Sequence, residues 1–204
     1  DNALLKPNNL TIVAWAYRTA APNATNGSGV AGKWAGGNGY FLWIDTDVVI
    51  KFPVNGGTHL SSGISSVLNA WQHIAGTFDG TTSRIYTDGV DRANQADTLT
   101  HTATPFEIGR YADQDNTNLT GRIAEVALWS VALTANEITA LAKGVSPNLI
   151  RRNSLVLYWP LWGFASPEPD LSGNVFNGTV TGAVLANHAP VGRYAPSRLS
   201  RIFP

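Results

Sequence analysis

The sequence predicts an all-β fold with one short helix, and three observations carry that expectation. Apolar runs of strand length follow one another along the chain. Turn-forming residues separate them every few positions. Only one segment has the caps and spacing of a helix. At 204 residues the chain is long enough to bury a substantial core without cross-links.

The expected strands, in order, cover residues 10–17, 40–45, 48–52, 71–78, 83–87, 106–109, 122–129, 155–159 and 178–184. Two Asp-Gly pairs, Asp79-Gly80 and Asp88-Gly89, lie between apolar runs. Each supplies residues that tolerate positive φ, as a tight hairpin requires. Residues 71–96 therefore read as a three-stranded antiparallel meander. The helix is expected over about 134–143. Thr134-Ala-Asn-Glu137 forms a capping box, Leu133, Ile138 and Leu141 recur at helical spacing, and Gly144 can end the helix. Being short and isolated, it is expected to cover one end of a sheet structure. Residues 145–153 read as a connector and 163–174 as a loop.

Composition narrows the function. Charged residues make up 14 % of the chain and balance to zero, so nucleic-acid binding, which needs a basic surplus, is not expected. No apolar run reaches the length of a membrane span, so membrane insertion is not expected either. Without cysteine there are no disulfides, thiolate chemistry or Cys-ligated metal sites. The chain also lacks methionine, which fits a processed product or a piece of something longer.

Four patterns invite chemistry. Gly27-Ser-Gly-Val-Ala-Gly32 matches Gly-x-Gly-x-x-Gly, but a turn-rich stretch precedes it and a β-like run follows. It therefore reads as a loop entering a strand and not as a phosphate cradle. Asp45-x-Asp47 offers paired carboxylates without a third acid, which suits a turn better than a hydrolase. The histidines are scattered, and His73, inside a strand beside Trp71, reads as packed. No Gly-x-Ser-x-Gly elbow is present, and nothing assembles into a catalytic set, so no enzyme is expected. The loop Asp113-Gln114-Asp115-Asn116 gathers oxygens that suit calcium, although such residues also favour turns. The seven tryptophans mostly lie in expected strands and read as core. Trp34, beside the loop residues Gly36-Gly-Asn-Gly39, is the one best placed to stack on a sugar.

Several segments in order carry a resemblance. Asn69-Ala-Trp-Gln-His-Ile-Ala-Gly-Thr-Phe-Asp-Gly80, Arg84-Ile-Tyr-Thr-Asp-Gly89, Phe106-Glu-Ile-Gly109, Gly121-Arg-Ile-Ala-Glu-Val-Ala-Leu-Trp129 and Ser130-Val-Ala-Leu-Thr-Ala-Asn-Glu-Ile138 resemble the laminin-G-like/concanavalin-A-like superfamily. Leu10–Trp15 and Gly32–Trp34 fit its opening strands. The resemblance covers roughly residues 8–184 and implies a two-sheet antiparallel jelly-roll sandwich. The superfamily holds both enzymes and binding modules, so the fold leaves function open. Its glucanase branch carries Glu-x-Asp-x-x-Glu on one strand, and this sequence has no such run. Its pentraxin branch binds calcium through a Glu-Gln-Asp loop and an Asp-Asn turn. Asp113-Gln114-Asp115 matches the first with Asp for Glu, and Asn38 matches half of the second.

The C-terminal stretches 157–163, 166–174, 177–182 and 188–191 resemble the tails of laminin-G-like proteins of bacteriophage and environmental viral genomes. That likeness implies a non-catalytic structural or decoration protein of a larger assembly, plausibly a phage virion, whose partners are neighbouring capsid or tail subunits. Localisation is then the virion surface or the extracellular space. The alternative is a lectin-like carbohydrate-binding adhesion module, with or without calcium. Its glycan contacts would be Trp34, Asn38, Asp113 and Asp115, and its calcium ligands Asn38, Asp113, Gln114 and Asp115. The expected division is a jelly-roll over 1–187 and a basic Pro/Arg-rich tail over 188–204. In that tail Arg193, Arg198 and Arg201 would pair with acidic groups of a neighbour, with Ile202 and Phe203 as apolar anchors.

Overall fold

The computed structural model describes residues 2–111, 114, 116–163 and 166–192. It is an antiparallel jelly-roll sandwich. The strands are β1 (Leu10–Arg18), β2 (Ser28–Ala35), β3 (Asn38–Ile44), β4 (Val49–Phe52), β5 (Leu60–Ser65), β6 (Trp71–Phe78), β7 (Thr82–Thr87), β8 (Val90–Ala96), β9 (Glu107–Ile108), β10 (Gly121–Trp129) and β11 (Leu155–Trp159). One sheet runs β11-β10-β1-β6-β7-β8 and the other β5-β4-β3-β2-β9. The core lies between them. Alternation along each strand sends Leu10, Ile12 and Ala14 of β1 inward to meet Tyr40, Leu42 and Ile44 of β3.

The 71–96 meander forms as the turn chemistry requires. Asp88 and Gly89 both take positive φ, 52° and 79°, as the two central residues of a primed hairpin turn between Thr87 and Val90. At the preceding turn the Asp79 carboxylate accepts from the amides of Thr81 and Thr82.

Helix α1 (Ala135–Ala142) carries the expected capping box, with Thr134 as N-cap and Glu137 reaching back to its amide. Its position differs from expectation. It lies against the outer face of the six-stranded sheet, where Ile138 and Leu141 pack with Val13, Ala75, Tyr86, Ala127 and Trp129. The reason is that β1, β6 and β10 are apolar on both faces, so the outer face also needs cover. Thr11 ties the approach to the helix, donating to Val131 O and accepting from the Leu133 amide.

Two further expectations change. Residues 178–184 form no strand: Gly178 makes one isolated bridge to Glu168, and Val180 and Val184 stay exposed with no partner strand. Residues 28–35 are a full strand and not just the end of a loop. The segment between α1 and β11 contains two 3-10 turns, Pro147–Leu149 and Arg152–Ser154. The first residues of the expected tail fold back on this same sheet. Ala189 is buried against Trp15 and Ala124, with Val191 beside it, and the Gly192 amide donates to Gly144 O. Arg193, Arg198, Arg201, Ile202 and Phe203 lie outside the described residues.

His73 is packed, as expected of a strand histidine, but both ring nitrogens are buried without a hydrogen-bond partner. Its ring meets the Trp15 indole edge-on at 5.4 Å. Burial pushes its pKa down to about 3. The unfolded chain takes up this proton near pH 6.5 and the folded chain does not. Stability from the neutral ring is therefore complete above pH 6.5 and is lost progressively as pH falls toward 3. About 2 kcal/mol should be gone by pH 5. Urea unfolding at pH 7.5 and pH 5 measures this, with His73→Phe as the reference. Wild type should lose more than the variant, and equal losses would refute the assignment.

Candidate functional site

The outer face of the five-stranded sheet carries a small aromatic depression, enclosing about 40 Å³ and lined by Trp34, Phe41, Trp43, Pro53, His59 and Tyr111. Strand alternation explains its floor. Tyr40, Leu42 and Ile44 point into the core, so Phe41 and Trp43 point outward. Trp34 joins them from β2, opposite Gly39 in the register.

Glycines make room for these rings. Gly32 pairs with Phe41 and Gly29 with Trp43. A Cβ on Gly29 or Gly32 would come within 2.9 and 2.7 Å of the Phe41 ring, and one on Gly27 within 2.3 Å of Trp43 Nε1. Gly27 also takes φ +67°, which favours glycine by itself. The three glycines of the Gly-x-Gly-x-x-Gly match thus serve the aromatic site and the strand packing.

The walls come from loops. The His59 ring stands between two indoles, 5.9 Å from Trp34 and 5.1 Å from Trp43, edge-on to both. Tyr111 meets Phe41 edge-on at 5.5 Å. Trp43 Nε1 and the Tyr111 hydroxyl both donate to the Asn26 carbonyl, at 3.1 and 3.3 Å, which fixes the two rings relative to each other. Burial lowers the His59 pKa. Asp45 opposes that shift and Lys51 adds to it, so the ring is neutral at pH 7.

Beside the depression, Lys51 stands opposite Trp43 in the register and shares the outer face. Its ammonium binds the Asp45 carboxylate and lies 3.6 Å from Asp47. The Asp45-x-Asp47 pair is accordingly a turn: Asp45 accepts from the Thr46 amide and Asp47 from the Val49 amide. Aromatic walls with a few polar groups suit a flat ligand that has an apolar face and hydroxyl edges.

Of the residues expected at a site, Trp34 lines this depression. Asn38 instead closes the β2–β3 hairpin, its amide donating to Gly36 O. Gln114 is exposed, and its carbonyl accepts from Thr117 Oγ1. Asp113 and Asp115 lie outside the described residues. Among the described residues, no group of three or more His, Asp and Glu is placed to hold a metal ion. Local sequence gives no reason to single out Phe41, Trp43, Pro53, His59 or Tyr111. The available signal was the set of glycines facing aromatics on the neighbouring strand.

A second cavity lies on the outer face of the six-stranded sheet, lined by Glu125, Ser146, Asn148, Tyr158, Trp162, Leu171, Val191 and Gly192. Glu125, at a β-bulge with φ 55°, is buried there. It accepts from the Tyr158 hydroxyl at 2.6 Å and pairs with His188 Nε2 at 3.2 Å. The groups mostly satisfy one another, so the cluster reads as structural.

Solved structures share the fold. A protein from Bacteroides ovatus described as a candidate carbohydrate-binding protein aligns with a TM-score of 0.71 at 23 % identity over 91 % of this chain. The chain spans 56 % of that protein's length. A heptameric SAP-like pentraxin from Limulus polyphemus aligns at TM-score 0.52 and 15 % identity, over 67 % of this chain and 70 % of its own. Domain 4 of the extracellular arabinanase AbnA from Geobacillus stearothermophilus, solved with arabinotriose, aligns at TM-score 0.52 and 16 % identity, covering 67 % of each chain. At these identities the likeness is one of fold. No curated protein matches the chain. The model of the laminin-G-type family described as the concanavalin A-like lectin/glucanases superfamily matches residues 1–139, well over half of the sequence, and the chain belongs to that superfamily.

Proposed function

We propose that this chain is a lectin-like carbohydrate-binding module that holds its ligand on the outer face of the five-stranded sheet. The observation that carries this reading is the open depression walled by Trp34, Phe41, Trp43 and Tyr111. Trp34, Trp43 and Tyr111 are half-buried over the buried Phe41 ring, and such preformed rings offer stacking surface at little ordering cost. With about 40 Å³ of enclosed space the depression is far smaller than the ~300–1,000 Å³ clefts that engulf a drug-sized ligand. It suits the stacking of a sugar ring of a longer glycan and not the engulfing of a whole ligand. The carbohydrate-related descriptions of the Bacteroides protein and the arabinanase domain favour the same reading.

The assembly reading has less support. It leans on the tail, and the described part of that tail, 188–192, is spent on the chain's own sheet. Binding without turnover is expected, because the depression brings together one histidine and no carboxylate among its lining residues.

The test is a glycan-binding panel on wild type and Trp34→Ala, with and without a calcium chelator. Loss of an aromatic hot spot of about 2 kcal/mol corresponds to roughly thirty-fold weaker binding. Trp34 is half-buried at the surface, so its melting temperature should hardly change. A wild-type protein silent on every glycan would overturn the reading. The chelator arm decides whether calcium takes part.

A further inference from the structure

The charges around the aromatic depression sort its ligands. We infer that the site selects uncharged glycans and rejects anionic ones, with Asp47 as a specificity-determining residue. The inference rests on the carbohydrate-binding reading above and adds the class of sugar.

Among the described residues, the ion pairs on this face hold three carboxylates against two cations. Lys51 is shared between Asp45 and Asp47, and Arg110 pairs with Glu107 at 3.5 Å. Lys51 is opposite Trp43 and Glu107 is opposite Gly32, so both pairs flank the aromatic floor on its own side of the sheet. Recognition of a sugar carboxylate calls for a cation whose donors are directed at it. Both cations here already face protein carboxylates. His59, between the two indoles, is neutral at pH 7 and adds no positive charge.

Asp47 is the surplus charge. Lys51 binds Asp45 closely and Asp47 more loosely, and the Asp47 side chain is 55 % exposed. Among the described residues, an anionic sugar approaching Trp43 thus meets an uncompensated carboxylate and no directed cation. A neutral sugar meets the aromatic faces without that charge penalty. Because the field is exposed to solvent, the discrimination is modest at physiological salt and grows as ionic strength falls.

The experiment compares matched polymers on the intact chain: galactan with polygalacturonate, and mannan with polymannuronate. The neutral member of the bound pair should bind at least threefold more tightly at low salt, and added salt should narrow the gap. Asp47→Asn keeps an oxygen to accept from the Val49 amide while removing the charge. It should raise the acidic-to-neutral affinity ratio about threefold. Acidic polymers that bind as well as neutral ones, or a ratio unmoved by Asp47→Asn, would overturn the charge rule and leave glycan binding standing. Should neither pair bind, the strongest neutral binder of the glycan panel is compared with its uronic-acid counterpart under the same criteria, and silence on the whole panel would overturn both readings.

Discussion

Trp129→Ala is expected to lower the unfolding free energy by about 4 kcal/mol, within the range for truncating a fully buried aromatic. Trp129 is wholly inaccessible, and it sits in the cluster formed by the outer face of the six-stranded sheet, Leu133, Ile138 and Leu141. Its indole N–H donates to the Ile150 carbonyl at 2.8 Å, tying the connector after α1 to the sheet. Truncation removes the packing under the helix and strands a carbonyl together. For a chain of this size the melting temperature should fall by roughly 10 °C. Denaturant unfolding checks the value. A loss below about 1 kcal/mol would mean that the helix side contributes little and that stability resides almost entirely between the sheets.

Glu125→Ala is expected to cost about 3–5 kcal/mol, the usual range when one member of a buried pair is removed. Glu125 is 3 % exposed and serves both the Tyr158 hydroxyl and His188. Burial alone would lower the His188 pKa, but the Glu125 carboxylate and the Pro160 and Ala189 carbonyls outweigh it and raise it. The sign follows from that direction. The folded state holds the His188 proton more tightly, so the pair's contribution is complete below about pH 6.5 and fades as pH climbs through the raised value. Wild type should thus lose stability on the alkaline side of neutrality, and Glu125→Ala should lose less. Hydrogen exchange at residues 189–192 gives a local readout, because His188 pins that return segment to the sheet. Protection there should drop first in the variant. Protection that survives Glu125→Ala would assign the docking to Ala189 and Val191 alone.

How legible the fold was depended on where its determinants lie. β6 and β7 were readable because alternation and an Asp-Gly turn act within a few residues, and α1 because Thr134 and Glu137 cap it locally. β2 and β5 were obscured by glycine and serine, whose low strand preference is overridden by their neighbours. In β2 the glycines are demanded by the Phe41 and Trp43 rings on the adjacent strand. Residues 178–184 are the opposite case: they have strand-like composition, but the nearby edge of β11 is already taken up by Asp170, Leu171 and Asn174. The seat of the helix is not legible locally, because a single strand's sequence does not reveal that both faces of β1 and β10 are covered.

The site was legible only in part for a related reason. Trp34 stands beside a glycine-rich turn, which marks it locally as a surface aromatic. Its companions come from β3, the stretch leading to β5 and the loop after β9, and they meet only through sheet order. Asn38 shows the converse, since a residue that flanks a tight turn can be spent on the turn itself.

The most direct measurement of the central claim is a glycan titration followed by the indole N–H signals of the seven tryptophans. The strongest binder from the panel should move the Trp34 and Trp43 signals in a saturable way. Trp129, wholly buried under the helix on the other sheet, should stay still. Saturable binding that leaves Trp34 and Trp43 unmoved, or that shifts other indoles instead, would contradict a glycan site on the outer face of the five-stranded sheet.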